Sequence, residues 1–196
     1  MKRGIYRLLL PFTSLLLLLA LNSCGPSVDT RNKMVVSVRD QKMVLFRDGK
    51  PIKTYHVSTS KFGLGDIPGS NRTPLGRMKV AKKIGKGQPA GAVFKSRRPT
   101  GEVLKPNAPG RDPIVSRILW LTGTESNNRN AFRRYIYIHG TPEMNRLGSP
   151  ASYGCIRMGC KDVVDLYNRV GTGADVYVVR GSLRGASPRK NYTAAR

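Results

Sequence analysis

His139 and Cys155 are a pair of residues whose chemistry could combine into covalent catalysis. A cysteine attacks carbonyls through its thiolate, and an imidazole in reach can take the thiol proton and later pass it to a leaving group. The histidine closes the run Tyr135-Ile136-Tyr137-Ile138-His139. Strand alternation there puts Tyr135, Tyr137 and His139 on one face and the isoleucines on the other. The cysteine lies in Ser152-Tyr153-Gly154-Cys155-Ile156-Arg157-Met158, ahead of a segment with helical spacing at 161–170. That segment places Val163, Val164, Tyr167 and Val170 on one side, with Gly171 as its stop. Cys155 is therefore expected at a helix N-terminus, where the macrodipole and free N–H groups favour a thiolate. Gly154 would leave the sulfur unscreened and let backbone N–H groups of Gly154 and Cys155 hold an oxyanion. Ser152 could hydrogen-bond His139 or shape the turn. The pair taken alone also fits a buried small cysteine and a structural histidine.

Other candidates carry less. His56, on an expected strand, reads as a strand residue, Cys160 as a spectator, and Trp120 as core or groove wall. Tyr135 and Tyr137 could line a groove beside His139 or serve as packing. A metal site from His139, Cys155 and Cys160 lacks a fourth ligand and has diverging cysteines, so no metal and no cofactor are expected. The same divergence argues against a disulfide between Cys155 and Cys160.

The elements that must position this pair are mainly strands. Expected strands are 34–39, 42–47 and 52–58, a three-stranded meander, then 78–81, 92–94, 114–121, 135–139 and 176–179, with the helix at 161–170. Residues 82–113 carry eight Lys or Arg against Glu102 and Asp112 and repeated Gly and Pro, a long basic excursion. Residues 181–196 are expected to be a basic, flexible tail.

The chain has 196 residues, 35 Lys plus Arg against 11 Asp plus Glu, and a formal charge of +24. That length suits one domain, and 39% hydrophobic residues suffice for a core. Its apolar run, 8–21, falls short of the roughly 20 residues a spanning helix needs, which excludes a multispan membrane protein. Behind Lys2, Arg3 and Arg7 that run reads as an export signal, with 1–23 removed and 24–33 a tether. Leu21-Asn22-Ser23-Cys24 resembles a lipobox, making Cys24 the expected lipidation site; an uncleaved anchor is the alternative. Losing 1–23 removes three positive charges and no acid, so +21 remains and implies an anionic neighbour. Export and the absence of nucleic-acid-binding motifs argue for an anionic envelope rather than nucleic acid.

Around the pair the sequence resembles the catalytic domain of the L,D-transpeptidases, the YkuD-like family of bacterial cell-wall enzymes. The residues that carry this are His139-Gly140, Ser152 to Met158, Thr73-Pro74-Leu75-Gly76, A-G-A-V-F-K-S-R-R-P-T-G-E at 90–102 and R-I-L-W-L at 117–121. The resemblance spans 34–180, and the order His before Cys separates it from papain-like enzymes. It implies a mainly β fold, an L,D-transpeptidase-type β-sandwich of mixed sheets with one helix following the catalytic Cys. It also implies Cys155 as nucleophile, His139 as base and acid, and Arg157 as a substrate-binding or site-ordering residue. Gly140 falls where some members carry a Ser whose backbone joins the triad, so here only backbone can act. Tyr153 falls where members often have His and is expected to alter substrate contacts.

The expected function is a peptidoglycan L,D-transpeptidase that cross-links stem peptides through a cysteine thioester. The same residues would serve an L,D-carboxypeptidase or an enzyme anchoring proteins to the wall, and a non-catalytic wall-binding lipoprotein is the remaining alternative. Expected partners are peptidoglycan stem peptides and, through the N-terminal lipid, a membrane. The expected location is the periplasmic cell envelope, at the outer membrane because Gly25 rather than Asp follows Cys24.

Overall fold

Short apolar alternations separated by tight turns build an antiparallel meander of β1 (Asn32–Ser37), β2 (Lys42–Arg47) and β3 (Lys50–Ser58). In the computed structural model, which describes residues 28–184, turn residues Gln41 and Asp48 take positive φ, as tight hairpin reversals require. β10 (Asp175–Val179) lies parallel beside β1, with Val35 opposite Tyr177, and β4 (Gly76–Ile84) covers its other edge.

β7 (Ile114–Gly123) continues from β4, followed by β8 (Tyr137–Thr141) and then β9 (Ile156–Gly159), which returns to β3 through Val57 and Met158. Because β4 pairs with both β10 and β7, these eight strands close on themselves and hydrogen-bond the two layers of the sandwich together. β5 (Ala92–Lys95) and β6 (Arg98–Val103) form a hairpin that hangs on the first residues of β7.

The core fills with Met34, Met43, Leu45, Tyr55, Met78, Leu119, Ile138 and Ile156, all at most 1% exposed. α1 (Cys160–Arg169) adds Val163, Leu166 and Tyr167 to it. Leu166 is the inward residue where the spacing pointed to Val164, which is half-buried. Each such fully buried aliphatic side chain contributes about 1.5–3 kcal/mol. Asp29 ends the helix from outside, accepting from the N–H groups of Gly171, Arg31 and Asn32.

Strands 42–47 and 92–94 fall where expected, but two others were not anticipated. β6 (R-P-T-G-E-V) is exposed along its whole length and shows no apolar alternation, and β9 has four residues, all buried. Segment 82–113 is therefore part of β4, a hairpin, and a shorter loop. The strand expected at 135–139 starts two residues later, because Tyr135 adopts φ +57 and still belongs to the preceding turn.

Beyond β10 the chain is held as far as Leu183: Ser37 Oγ donates to Gly181 O, and Leu183 N–H and Ser182 Oγ donate to Asp40. The expected signal segment, Cys24 and residues 185–196 lie outside the described residues. Among the described residues no helix is long and apolar enough to cross a membrane.

Candidate active site

The parallel pair β8–β9 sets the site. Its register matches Ile138 with Ile156 and His139 with Arg157, so alternation sends both isoleucines into the core and His139 and Arg157 to the opposite face. Cys155 precedes β9 by one residue and falls beside Tyr137. Tyr137 N–H donates to its Sγ at 3.4 Å, and the thiol donates to Tyr135 O at 3.4 Å. With Cys155 beside Tyr137, and Tyr137 and His139 on one face of β8, the thiol and the imidazole share that face.

The expectation of a helix-terminal Cys155 thiolate is overturned. β9 intervenes, and the cysteine on the first turn of α1 is Cys160, whose thiol donates to Thr141 O at 3.3 Å. Cys155 instead packs against the apolar cluster of Ala92, Phe94, Ile118, Trp120 and Tyr137. Burial pushes its thiol up to about 11, against the opposing pull of Tyr137 N–H and the charge of Arg134. His139 is 5% exposed, and burial lowers it to about 4. At neutral pH the pair is thus thiol and neutral imidazole. Nδ1 of His139 lies 2.8 Å from Gly140 O, and because a carbonyl only accepts, Nδ1 carries the proton and Nε2 is left as a base.

Gly140 is required by space as well. A Cβ there would stand 2.6 Å from Val115 O, so a serine does not fit this backbone.

The turn before Cys155 is tightly specified. Ser152 Oγ donates to Cys155 O at 2.6 Å and accepts from Gly154 N–H at 3.2 Å, so Ser152 shapes the turn and is not bonded to His139. The same bond engages the Gly154 N–H that was expected to hold an oxyanion. Gly154 has φ +116, and a Cβ would meet Arg72 O at 3.3 Å, which gives a backbone reason for glycine. Thr73 supports the turn by donating to Gly154 O at 3.0 Å and accepting from Ser60 N–H. Tyr153 has its hydroxyl 3.0 Å from Lys61 Nζ and its ring against Phe62; it is 62% exposed.

One flank of the face is ionic. Arg157, 3% exposed, pairs through Nη1 with Asp112 and with Glu143 (3.0 Å), while Thr141 Oγ1 donates to Asp112. Its Nε and Nη2 are buried without partners among the described residues. Of the two roles expected for Arg157, its pairing through Nη1 with Asp112 and Glu143 fits site ordering. Sequence reading missed Asp112, Glu143 and Thr141. A signal existed, since Asp112 is one of two acids in the strongly basic segment 82–113.

The other flank is aromatic. Trp120 stacks on Phe132 (centroids 4.2 Å, 7°), meets Tyr137 edge-on at 5.5 Å, and donates from Nε1 to Phe132 O. Behind it the buried pair Arg134–Asp66 (3.1 Å), with Arg134 also donating to Gly65 O and Arg72 O, ties loop 63–74 to the Tyr135 turn. His56 is exposed on β3.

The sequence profile of YkuD, the L,D-transpeptidase catalytic domain, matches residues 31–178. Similar solved structures include L,D-transpeptidase 3 from Mycobacterium tuberculosis (19% identity, 79% of this chain and 61% of that one, TM-score 0.50). Others are an L,D-transpeptidase from Mycobacterium smegmatis (18%, 76% and 58%, 0.48) and one from Xylanimonas cellulosilytica (16%, 78% and 62%, 0.48). At such identities the likeness concerns the fold alone, and the chain spans about three fifths of the length of these structures. No curated protein matches.

Proposed function

This chain belongs to the L,D-transpeptidase catalytic domain family, and from that premise we propose that it is a peptidoglycan L,D-transpeptidase working through a Cys155 thioester. The observation that carries the reading is the placement of Cys155 and His139 on one face of β8–β9, with the imidazole tautomer fixed by Gly140 O so that Nε2 is free to accept a proton.

The donor is a stem peptide, attacked at the carbonyl before its terminal D-residue. With both groups neutral at rest, no thiolate waits for substrate. As the substrate carbonyl enters, the thiol leaves Tyr135 O and its proton passes to His139 Nε2 while the S–C bond forms. Cys155 N–H is the donor on that turn available to the oxyanion, since Gly154 N–H holds Ser152. The imidazolium then protonates the departing amine, the C–N bond breaks, and a thioester remains. An amine of a neighbouring stem attacks it, giving its proton to His139; the new amide forms, the C–S bond breaks and the thiol recovers the proton. The apolar setting of Cys155 favours this concerted route over a preformed ion pair.

The cell-envelope location and a lipid anchor on Cys24 belong to the same proposal, and the charge of +21 left after residues 1–23 suits an anionic wall.

The test is mass spectrometry of the protein mixed with a disaccharide-tetrapeptide. The expected products are an acyl adduct on Cys155 and a cross-linked dimer, both lost in Cys155→Ala and slowed about a hundredfold or more in His139→Ala. Tripeptide alone would identify water as the acceptor and a carboxypeptidase; no adduct at all would refute the reading.

A further inference from the structure

Arg97 stands apart from the other cations of the basic segment. It sits with Ser96 at the tip of the β5–β6 hairpin, and both take left-handed backbone (φ +67 and +49), although two-residue turns of this kind favour Asn-Gly. Two non-glycine residues held in that region signal an imposed conformation. Its consequence is visible: the guanidinium lies over Trp120 at 5.1 Å and over Tyr135 at 5.2 Å. Its neighbours Lys95 and Arg98 are exposed.

The rings beneath Arg97 belong to the residues that touch the nucleophile, since Tyr135 O and Tyr137 N–H each lie 3.4 Å from Cys155 Sγ. A guanidinium whose face is taken by aromatic rings keeps its in-plane N–H donors for a partner, and that edge fits a carboxylate with two parallel hydrogen bonds. Among the described residues no carboxylate pairs with Arg97. The acids around the site are engaged elsewhere: Asp66 by Arg134, Glu102 by Arg111, and Asp112 and Glu143 by Arg157. Lys82 lies over the same wall, 5.7 Å from Trp120, and adds positive charge.

We propose that Arg97, held on the Trp120–Tyr135 platform, is the receptor for a carboxylate of the donor stem peptide and so sets which donors Cys155 attacks. This rests on the peptidoglycan reading. A stem peptide offers two such groups, the C-terminal carboxylate and the side-chain carboxylate of its diamino acid.

Trp120 is the sole tryptophan of the chain, so its fluorescence reports on this platform directly. The experiment titrates the full-length Cys155→Ala protein with three tetrapeptides: the free acid, its C-terminal amide, and the form amidated on the diamino-acid side chain. One amide should bind about tenfold or more weakly than the free acid, which identifies the carboxylate. In Arg97→Ala, with folding checked by circular dichroism, that preference should vanish, and Arg97→Lys should restore only part of it. Equal binding of all three peptides, a preference that survives Arg97→Ala, or no binding overturns the proposal. The cysteine-containing protein, assayed for adduct with the same peptides, separates the two readings. Adduct formation with a preference indifferent to Arg97 leaves the functional reading standing and removes this one, and Arg97-dependent binding without adduct does the reverse.

Discussion

On one flank of the β8–β9 face, Arg157 is buried and shared between Asp112 and Glu143; on the other, Arg97 rests on Trp120 and Tyr135 with no carboxylate paired to it among the described residues. Both flanks carry a guanidinium near Cys155, yet they do different things with it. The ionic flank uses its charge internally, fastening the loop that carries Asp112 and the turn that carries Glu143 onto β9. The aromatic flank supplies an apolar surface to the sulfur and leaves its cation uncommitted. Charge near a site thus says little about whether it is available; the partner does.

The largest effect should appear in the reactivity of the thiol, which sharpens the description of the aromatic flank as apolar. With Cys155 pushed up to about 11, its alkylation by iodoacetamide should rise about tenfold per pH unit from 7 to 10, close to a thousandfold overall, and labelling below pH 7 should be slow. Cys160, 4% exposed, should lag behind throughout. A plateau by pH 7, read by mass spectrometry, would show a preformed thiolate and an aromatic flank more polar than described.

Next comes a direct contrast between the flanks. Arg157→Met leaves Asp112 and Glu143 facing each other without their cation and should cost about 3–4 kcal/mol, lowering Tm by about 6–16 °C. Phe132→Leu trims the aromatic flank and should cost only about 1 kcal/mol. Similar drops in thermal melts would erase the distinction between a flank built on charge and one built on packing.

The smallest effect concerns His139, which lies between the flanks. Its folded value of about 4 is below the ordinary 6.5, so as pH falls the unfolded chain takes the proton first. The neutral imidazole therefore contributes fully above about pH 6.5, and this contribution is lost as pH falls towards 4, on the order of 2–3 kcal/mol. Urea unfolding between pH 7.5 and 4.5 should show that loss, and His139→Leu should remove it while His56→Ala leaves it in place. A slope insensitive to His139→Leu would mean that the imidazole is hydrated in the folded protein.

Where apolar periodicity was regular, local sequence sufficed. β2 was legible because K-M-V-L-F-R is bounded by turn residues, and α1 because its inward residues recur at helical spacing, though Leu166 rather than Val164 faces the core. β9 was not legible: with Met158 in the core and Arg157 buried on the other face, its residues show no contrast of the kind that alternation needs. Missing β9 is also what displaced Cys155 onto the helix, and with it the thiolate expectation. The hairpin β5–β6 was half legible, since A-V-F-K signals a strand but the exposed R-P-T-G-E-V does not.

The sequence by itself determined which residues could react and in what order they come along the chain: a histidine before Gly140, a cysteine after Gly154, and a strongly basic segment ahead of both. Those are properties of residue type and short spacing, which local chemistry dictates. Only the tertiary structure decided their environment. That Cys155 lies against an apolar cluster, that Arg157 is neutralised by Asp112 from 45 residues away, that Gly154 N–H is spent on Ser152, and that Arg97 returns over Trp120 all depend on strand register and on loops that meet through the fold. Protonation state and availability for binding follow from burial and partners, and long-range packing creates both.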